Sequence, residues 1–199
     1  MQTTFHSASE YLSTTFSHLS VTDQEMSELE FEACDFIECN FTATQFKKCR
    51  FIECTFTRCN LSLAQVSQSQ FTDVIFDECK LVGVDWTRAV WPKLVFSVAL
   101  QFKQCILNDS SFFGLNLDEI AMEECKAHDV DFREGHFRRA IFTGTDFTHS
   151  LFAKTDLSGA DFTDASDYDI DIFNNNISKA KFSRSEEHTS ELQSRQCIS

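Results

Sequence analysis

The chain has 199 residues, with 31 Asp and Glu against 17 Lys and Arg, a formal net charge of −14. This acid excess disfavours direct DNA or RNA binding, which needs a basic surface, and favours solubility and basic partners. Hydrophobic residues at 42% permit a packed core, but 22 Phe beside 5 Gly and 1 Pro is unlike a compact fold built on many tight turns.

Residues 1–20 carry neither a basic region nor an apolar core, so they do not read as a signal peptide. No stretch approaches the roughly 18 apolar residues of a membrane span. The expected location is the cytoplasm, where thiols stay reduced. Residues 1–20 fit the pattern that follows poorly and read as an N-terminal cap, with Tyr11 and Phe16 covering the first repeat.

From Phe31 a bulky side chain recurs at every fifth position: Phe36, Phe41, Phe46, Phe51, Phe56, Leu61, Val66, Phe71, Phe76, Leu81, Trp86, Trp91, Phe96. A small or medium residue stands two places before each, as Leu29, Cys34, Cys39, Thr44 and Cys49 show. A period of five matches neither an α-helix nor a flat strand. It suits a backbone that turns a corner every five residues, four faces closing one square coil of about twenty. Coils then stack through parallel strand-like hydrogen bonds at ~4.8 Å. The bulky residue and the one two before it point inward. From Asp23 to Lys181 every charged residue falls at an outward position except Asp167, as the cost of burying unpaired charge requires.

The segment Val84–Phe102 holds both Trp and the only Pro. A slip of one residue near 97–101 reads as a bulge, either a kink between two coil blocks or a partner contact involving Val90, Val95 and Val98. The series resumes at Phe102 and runs through Phe112, Phe132 and Phe152 to Phe182, so the coil body spans 21–183. Phe36, Phe56, Phe76 and Phe96 should form one aromatic column, Phe31, Phe51, Phe71 and Trp91 another. Phe132 and Phe152 continue the core beyond the break. Asp167 reads either as a recognition bulge or as a local distortion with its carboxylate turned outward.

Eight cysteines, Cys34, Cys39, Cys49, Cys54, Cys59, Cys79, Cys105 and Cys125, occupy the inward position two before the centre. They spread along the rod instead of converging on one point, so they read as core packing, not as a metal cluster. His128, His136 and His149 point outward. No nucleophile, base and acid converge, and no phosphate-binding loop is present, so no catalytic residue, cofactor or metal is expected. Outward carboxylates recur as Asp85, Asp109, Asp129, Asp146 and Asp169 on the face assigned to Trp86, Leu107, Ala127 and Phe147. They are the candidate partner-binding residues.

TDLSGADFTDA at Thr155–Ala165 and ACDFIECNF at Ala33–Phe41 resemble the A(D/N)LXX motif of pentapeptide-repeat proteins. The resemblance covers roughly Val21 to Ser183. It implies an all-β, right-handed quadrilateral parallel β-helix, a narrow solid rod. Within the family, the Cys-rich, Phe-centred start is similar to chromosomal relatives of Qnr quinolone-resistance proteins. That similarity implies a non-enzymatic DNA mimic that binds DNA gyrase or topoisomerase IV, with a C-terminal segment pairing two subunits as a homodimer. Qnr-type proteins carry gyrase contacts on loops projecting from the coils, and this chain shows no projection longer than the slip. The alternative is a scaffold with another bacterial partner. From about Arg184 the string RSEEHTSELQSRQCIS resembles a translated sequencing adapter, so 184–199 reads as a non-native or disordered tail that replaces the natural C-terminal segment.

Overall fold

A computed structural model describes residues 9–91 and 100–183. The chain forms a right-handed, four-faced parallel β-helix of about eight turns, with no α-helix among the described residues. Its strands are two to four residues long, and each pairs in parallel with the strand one coil away. The first face stacks Tyr11, Phe31, Phe51 and Phe71. The second runs Phe16, Phe36, Phe56, Phe76, Phe102 and Met122.

The square cross-section arises locally. The residue two after most bulky centres takes φ between about +47° and +73°, as Ser13, Asp23, Arg58, Asp129 and Glu119 do. Such left-handed corners are uncommon for residues with a Cβ. Here they recur every five residues, which explains how so few glycines suffice. An Asp or Asn just before the centre locks many corners. Asn40 Oδ1 accepts from Thr42 N at 3.1 Å and Thr42 Oγ1 at 2.7 Å, and Asp161 does the same for Thr163. This is the side-chain turn that competes with regular structure elsewhere and builds it here.

Aromatic columns fill the interior. Phe36 and Phe56 stack at 4.5 Å with planes 10° apart, and Phe132 and Phe152 at 5.0 Å and 4°. Phe36, Phe56, Phe76 and Phe132 are at most 1% exposed, and Phe152 is also buried. Each buried ring contributes about 1.5–3 kcal/mol. All eight described cysteines are buried and free.

The structure corrects the sequence register at three places. The break is longer than one residue. Phe76 pairs and stacks with Phe102 at 5.2 Å, an advance of 26 residues where the preceding coils take 20. Phe102 therefore holds the place assigned to Phe96, which lies outside the described residues together with Val95 and Val98. Trp86 stacks on Phe112 at 5.9 Å, so it belongs to the fourth face with Val66 and not with Leu107. Trp91 is half-buried, and its indole N–H donates to Trp86 O at 3.0 Å. On the first face the Val90 N–H still donates to Ser69 O at 2.8 Å, a normal step of 20 beyond Gln70, and the bridges resume at Asn116, so the six additional residues enter after Trp91. A count by fives cannot see this, because six additional residues and one give the same phase.

The second correction is at the start. Tyr11 and Phe16 do cover Phe31 and Phe36, each stacked at 5.1 Å, but as coil residues. Glu10–Leu12 and Thr15–Ser17 already pair with the next coil. The centres Tyr11, Phe16, Val21 and Met26 hold the five-residue step there, while polar Thr14 and Gln24 at the inward partner positions obscure it.

The third is at Asp167, where the alternative of a local distortion with the carboxylate turned outward holds. Its φ is +53° and its side chain is exposed, so the corner arrives two residues early. Phe152 bridges Ile170, 18 residues on. Asn175 repairs the coil by donating to Phe152 O at 3.2 Å and Asp171 O at 2.9 Å.

Candidate partner-binding surface

The five carboxylates separate into two groups. Asp109, Asp129 and Asp146 share the third face, whose column runs Leu81, Leu107, Ala127 and Phe147. Asp85 leaves this group with Trp86, since it bridges Ser111 on the fourth face. Asp169 is exposed, but the early corner at Asp167 displaces it from the column.

Their chemistry also differs. Asp85 caps the one-turn 3-10 helix Trp86–Arg88, accepting from Thr87 N at 3.1 Å and pairing with Arg88 at 3.1 Å. Asp146 Oδ1 accepts from Thr148 N at 3.0 Å, while Oδ2 meets His128 Nε2 at 2.7 Å. Partial burial pushes the Asp146 carboxyl up, but the Thr148 and His128 contacts outweigh it and hold the group below its ordinary value. Asp129 stands 3.6 Å from His149 Nδ1. Asp109 is exposed at a left-handed corner and makes no ion pair among the described residues. The histidines therefore point outward, each against a carboxylate.

Most described basic side chains are consumed by pairs between adjacent coils. Arg50 meets Glu30 at 2.8 Å, Arg58 meets Glu38 at 3.0 Å, Arg139 meets Glu119 at 2.7 Å and Lys154 meets Glu134 at 3.5 Å. Exposed pairs of this kind stabilise by only about 0–1 kcal/mol each. Their larger effect is on the surface field, because they leave unpaired carboxylates in excess. Among the described residues Glu53, Asp73, Asp77 and Glu78 form no ion pair, and they lie on the first and second faces. Periodicity alone missed them, since it locates outward positions without showing which charges are already matched.

Apolar side chains also reach the surface. Phe113, Leu151 and Phe173 on the fourth face are 42%, 47% and 78% exposed, and Arg133 lies 5.9 Å from the Phe113 ring centre. Val90 beside the break is exposed too. A shallow depression lies beside Gly83, bordered by Leu63, Gln65 and Arg88. Among the described residues no group of three His, Cys, Asp or Glu converges to hold a metal ion. No described helix is long and apolar enough to cross a membrane.

Residues 29–99 and 95–162 match the family model described as pentapeptide repeat region. No curated protein matches the chain. Among solved structures, a trypsin-treated variant of QnrB1, a plasmid-mediated fluoroquinolone resistance protein, is similar with a TM-score of 0.66 at 17% identity, covering 94% of this chain and 99% of the other. A second QnrB1 variant gives 0.62 at 19% identity over 97% and 92%. HetL from Nostoc sp. strain PCC 7120, a pentapeptide-repeat protein involved in heterocyst differentiation regulation, gives 0.50 at 15% identity over 86% of each chain. At these identities the likeness is one of fold.

Proposed function

The chain belongs to the pentapeptide-repeat family, and from that premise we propose that it is a non-enzymatic, cytoplasmic acidic rod that binds a type II topoisomerase in place of duplex DNA and modulates quinolone sensitivity. One observation carries this reading. Inter-coil ion pairs engage most of the described basic side chains and leave carboxylates such as Asp109 and Asp129 at corners repeated once per coil. A rigid rod with negative charge at regular intervals is complementary to a basic groove that otherwise holds DNA phosphates. Asp109, Asp129 and Asp146 are the first partner-binding residues in this reading, with Asp85 and Asp169 on neighbouring parts of the rod. A homodimer belongs to the same reading.

A gyrase supercoiling assay with and without ciprofloxacin tests it, together with binding across a salt series. Salt-sensitive binding that alters supercoiling or drug inhibition is expected. Absence of binding at low salt overturns the topoisomerase reading. The exposed Phe113, Leu151 and Phe173 favour a second reading, a scaffold that docks another bacterial protein through the fourth face. That contact would persist at high salt.

A further inference from the structure

We propose that His128 and His149 make the acidity of the third-face corner depend on pH, so that a basic partner held there is released on mild acidification. This inference rests on the acidic surface being the binding surface.

All four described histidines lie against a carboxylate one coil away: His18 with Glu38 at 3.2 Å, His128 with Asp146 at 2.7 Å, His136 with Asp156 at 3.9 Å and His149 with Asp129 at 3.6 Å. Only His128 and His149 lie on the third face, where Asp109, Asp129 and Asp146 occupy consecutive coils, with Asp109, Asp129 and His149 at the left-handed corner and the His128–Asp146 pair beside it. The surroundings of both rings are defined. His128 faces Asp146 and Thr148 from the following coil, and its backbone N–H donates to Asn108 Oδ1 of the preceding one at 3.3 Å. Lys126 bridges beside Asp146. His149 faces Asp129 from the preceding coil, and Asp167 holds the same left-handed corner in the following one.

Histidine ordinarily changes charge near pH 6.5, the only side chain to do so in the physiological range. With both rings neutral, three carboxylates face outward against one lysine. With both protonated, each imidazolium sits on a carboxylate, and Asp109 alone remains unmatched. A partner's Lys or Arg must then displace a cation already in place. The His128–Asp146 pair is two-thirds shielded from solvent, with side chains 29% and 33% exposed, so salt screens it less than the open pairs. His149 is 77% exposed and adds a smaller share.

The test has two arms. In the first, carboxyl carbon NMR follows Asp129 and Asp146 between pH 8 and pH 5 in the whole chain. A step at the same midpoint as the neighbouring imidazole is expected. No step there means the pairs do not form in solution and overturns the inference. In the second, gyrase binding is measured at pH 8 and pH 6 at fixed ionic strength for the wild type and for H128Q/H149Q. The wild type is expected to weaken about three- to tenfold more than the double variant. Equal pH dependence in both overturns the inference. If gyrase binds neither protein at any pH, the topoisomerase reading fails, and the carboxyl titration alone decides whether the corner titrates.

Discussion

The backbone N–H of Cys39 points along the rod to the sulfur of Cys59, one coil on, at 3.3 Å. The Cys59 thiol in turn donates to Phe36 O at 3.2 Å. Cys79, Cys105 and Cys125 repeat the arrangement, and the hydroxyl of Thr145 continues it. Ser69 and Ser150 play the same part on other faces. Elsewhere the equivalent N–H closes a turn on the carbonyl three residues back, as Thr44 does on Phe41 O at 3.0 Å. Cys59, Cys79, Cys105 and Cys125 are thus more than small apolar filler: each satisfies one buried donor and one buried acceptor.

Cys59→Ser should therefore fold well, while Cys59→Val should lose about 1–3 kcal/mol through the orphaned Cys39 N–H and Phe36 O. Urea unfolding of both variants measures the difference. Equal stability would mean that the sulfur contacts contribute nothing.

Phe56 touches Phe36 and Phe76 in its column and packs edge-on against Phe51. Phe56→Ala should cost about 3–5 kcal/mol through the cavity left in a closely stacked column. Thr57→Ala on the outer surface should cost less than about 0.5 kcal/mol. Comparable losses would contradict the inward and outward assignment.

Buried thiols should resist alkylation in the folded rod and react after denaturation. Desolvation pushes the Cys49 thiol up, and burial beside Cys34 raises Cys54 to about 11. Rapid labelling of Cys49 or Cys59 in the native protein would refute their placement in the core.

Stability should fall at both extremes of pH. A cysteine whose folded pKa is raised keeps its proton while the unfolded thiol loses one. Stability is therefore full below the unfolded value near 9 and declines as pH rises from there towards 11, the folded value of Cys54. On the acid side, the Arg133 guanidinium holds Asp131 below its ordinary range, and the Thr163 hydroxyl does so for Asp161. Their contribution is present above the unfolded carboxylate value near 4 and is lost as pH drops through the folded values. Melting temperatures from pH 2 to pH 11 should trace a plateau with two shoulders.

Deleting Arg184–Ser199 should leave the melting curve essentially unchanged and the chain monomeric or weakly self-associating. In the last described coil Phe182 stacks on Phe162 at 5.2 Å and Ile177 is half-buried. A well-defined dimer by sedimentation that disappears on deletion would show that the segment is structural.

The step of five was legible because each repeat encodes its own corner. Phe36 and Cys34 point inward and Asp35 outward whatever their neighbours do, so fold class, core residues and charge-bearing surface follow from the amino-acid sequence alone. The family motif at Thr155–Ala165 has the same origin: Asp156 Oδ1 accepts the Ser158 N–H at 3.0 Å within one repeat. Which repeats lie above one another is a property of the stack. An insertion of six gives the same five-residue phase as a slip of one but shifts every later column by one further face, so the pairing of Phe76 with Phe102 is what separates Trp86 and Asp85 from Leu107 and Asp109. The same holds for the His128–Asp146 contact, which joins residues 18 apart through parallel strands. Local chemistry sets the direction of each side chain, whereas the partner it meets is chosen by inter-coil hydrogen bonding.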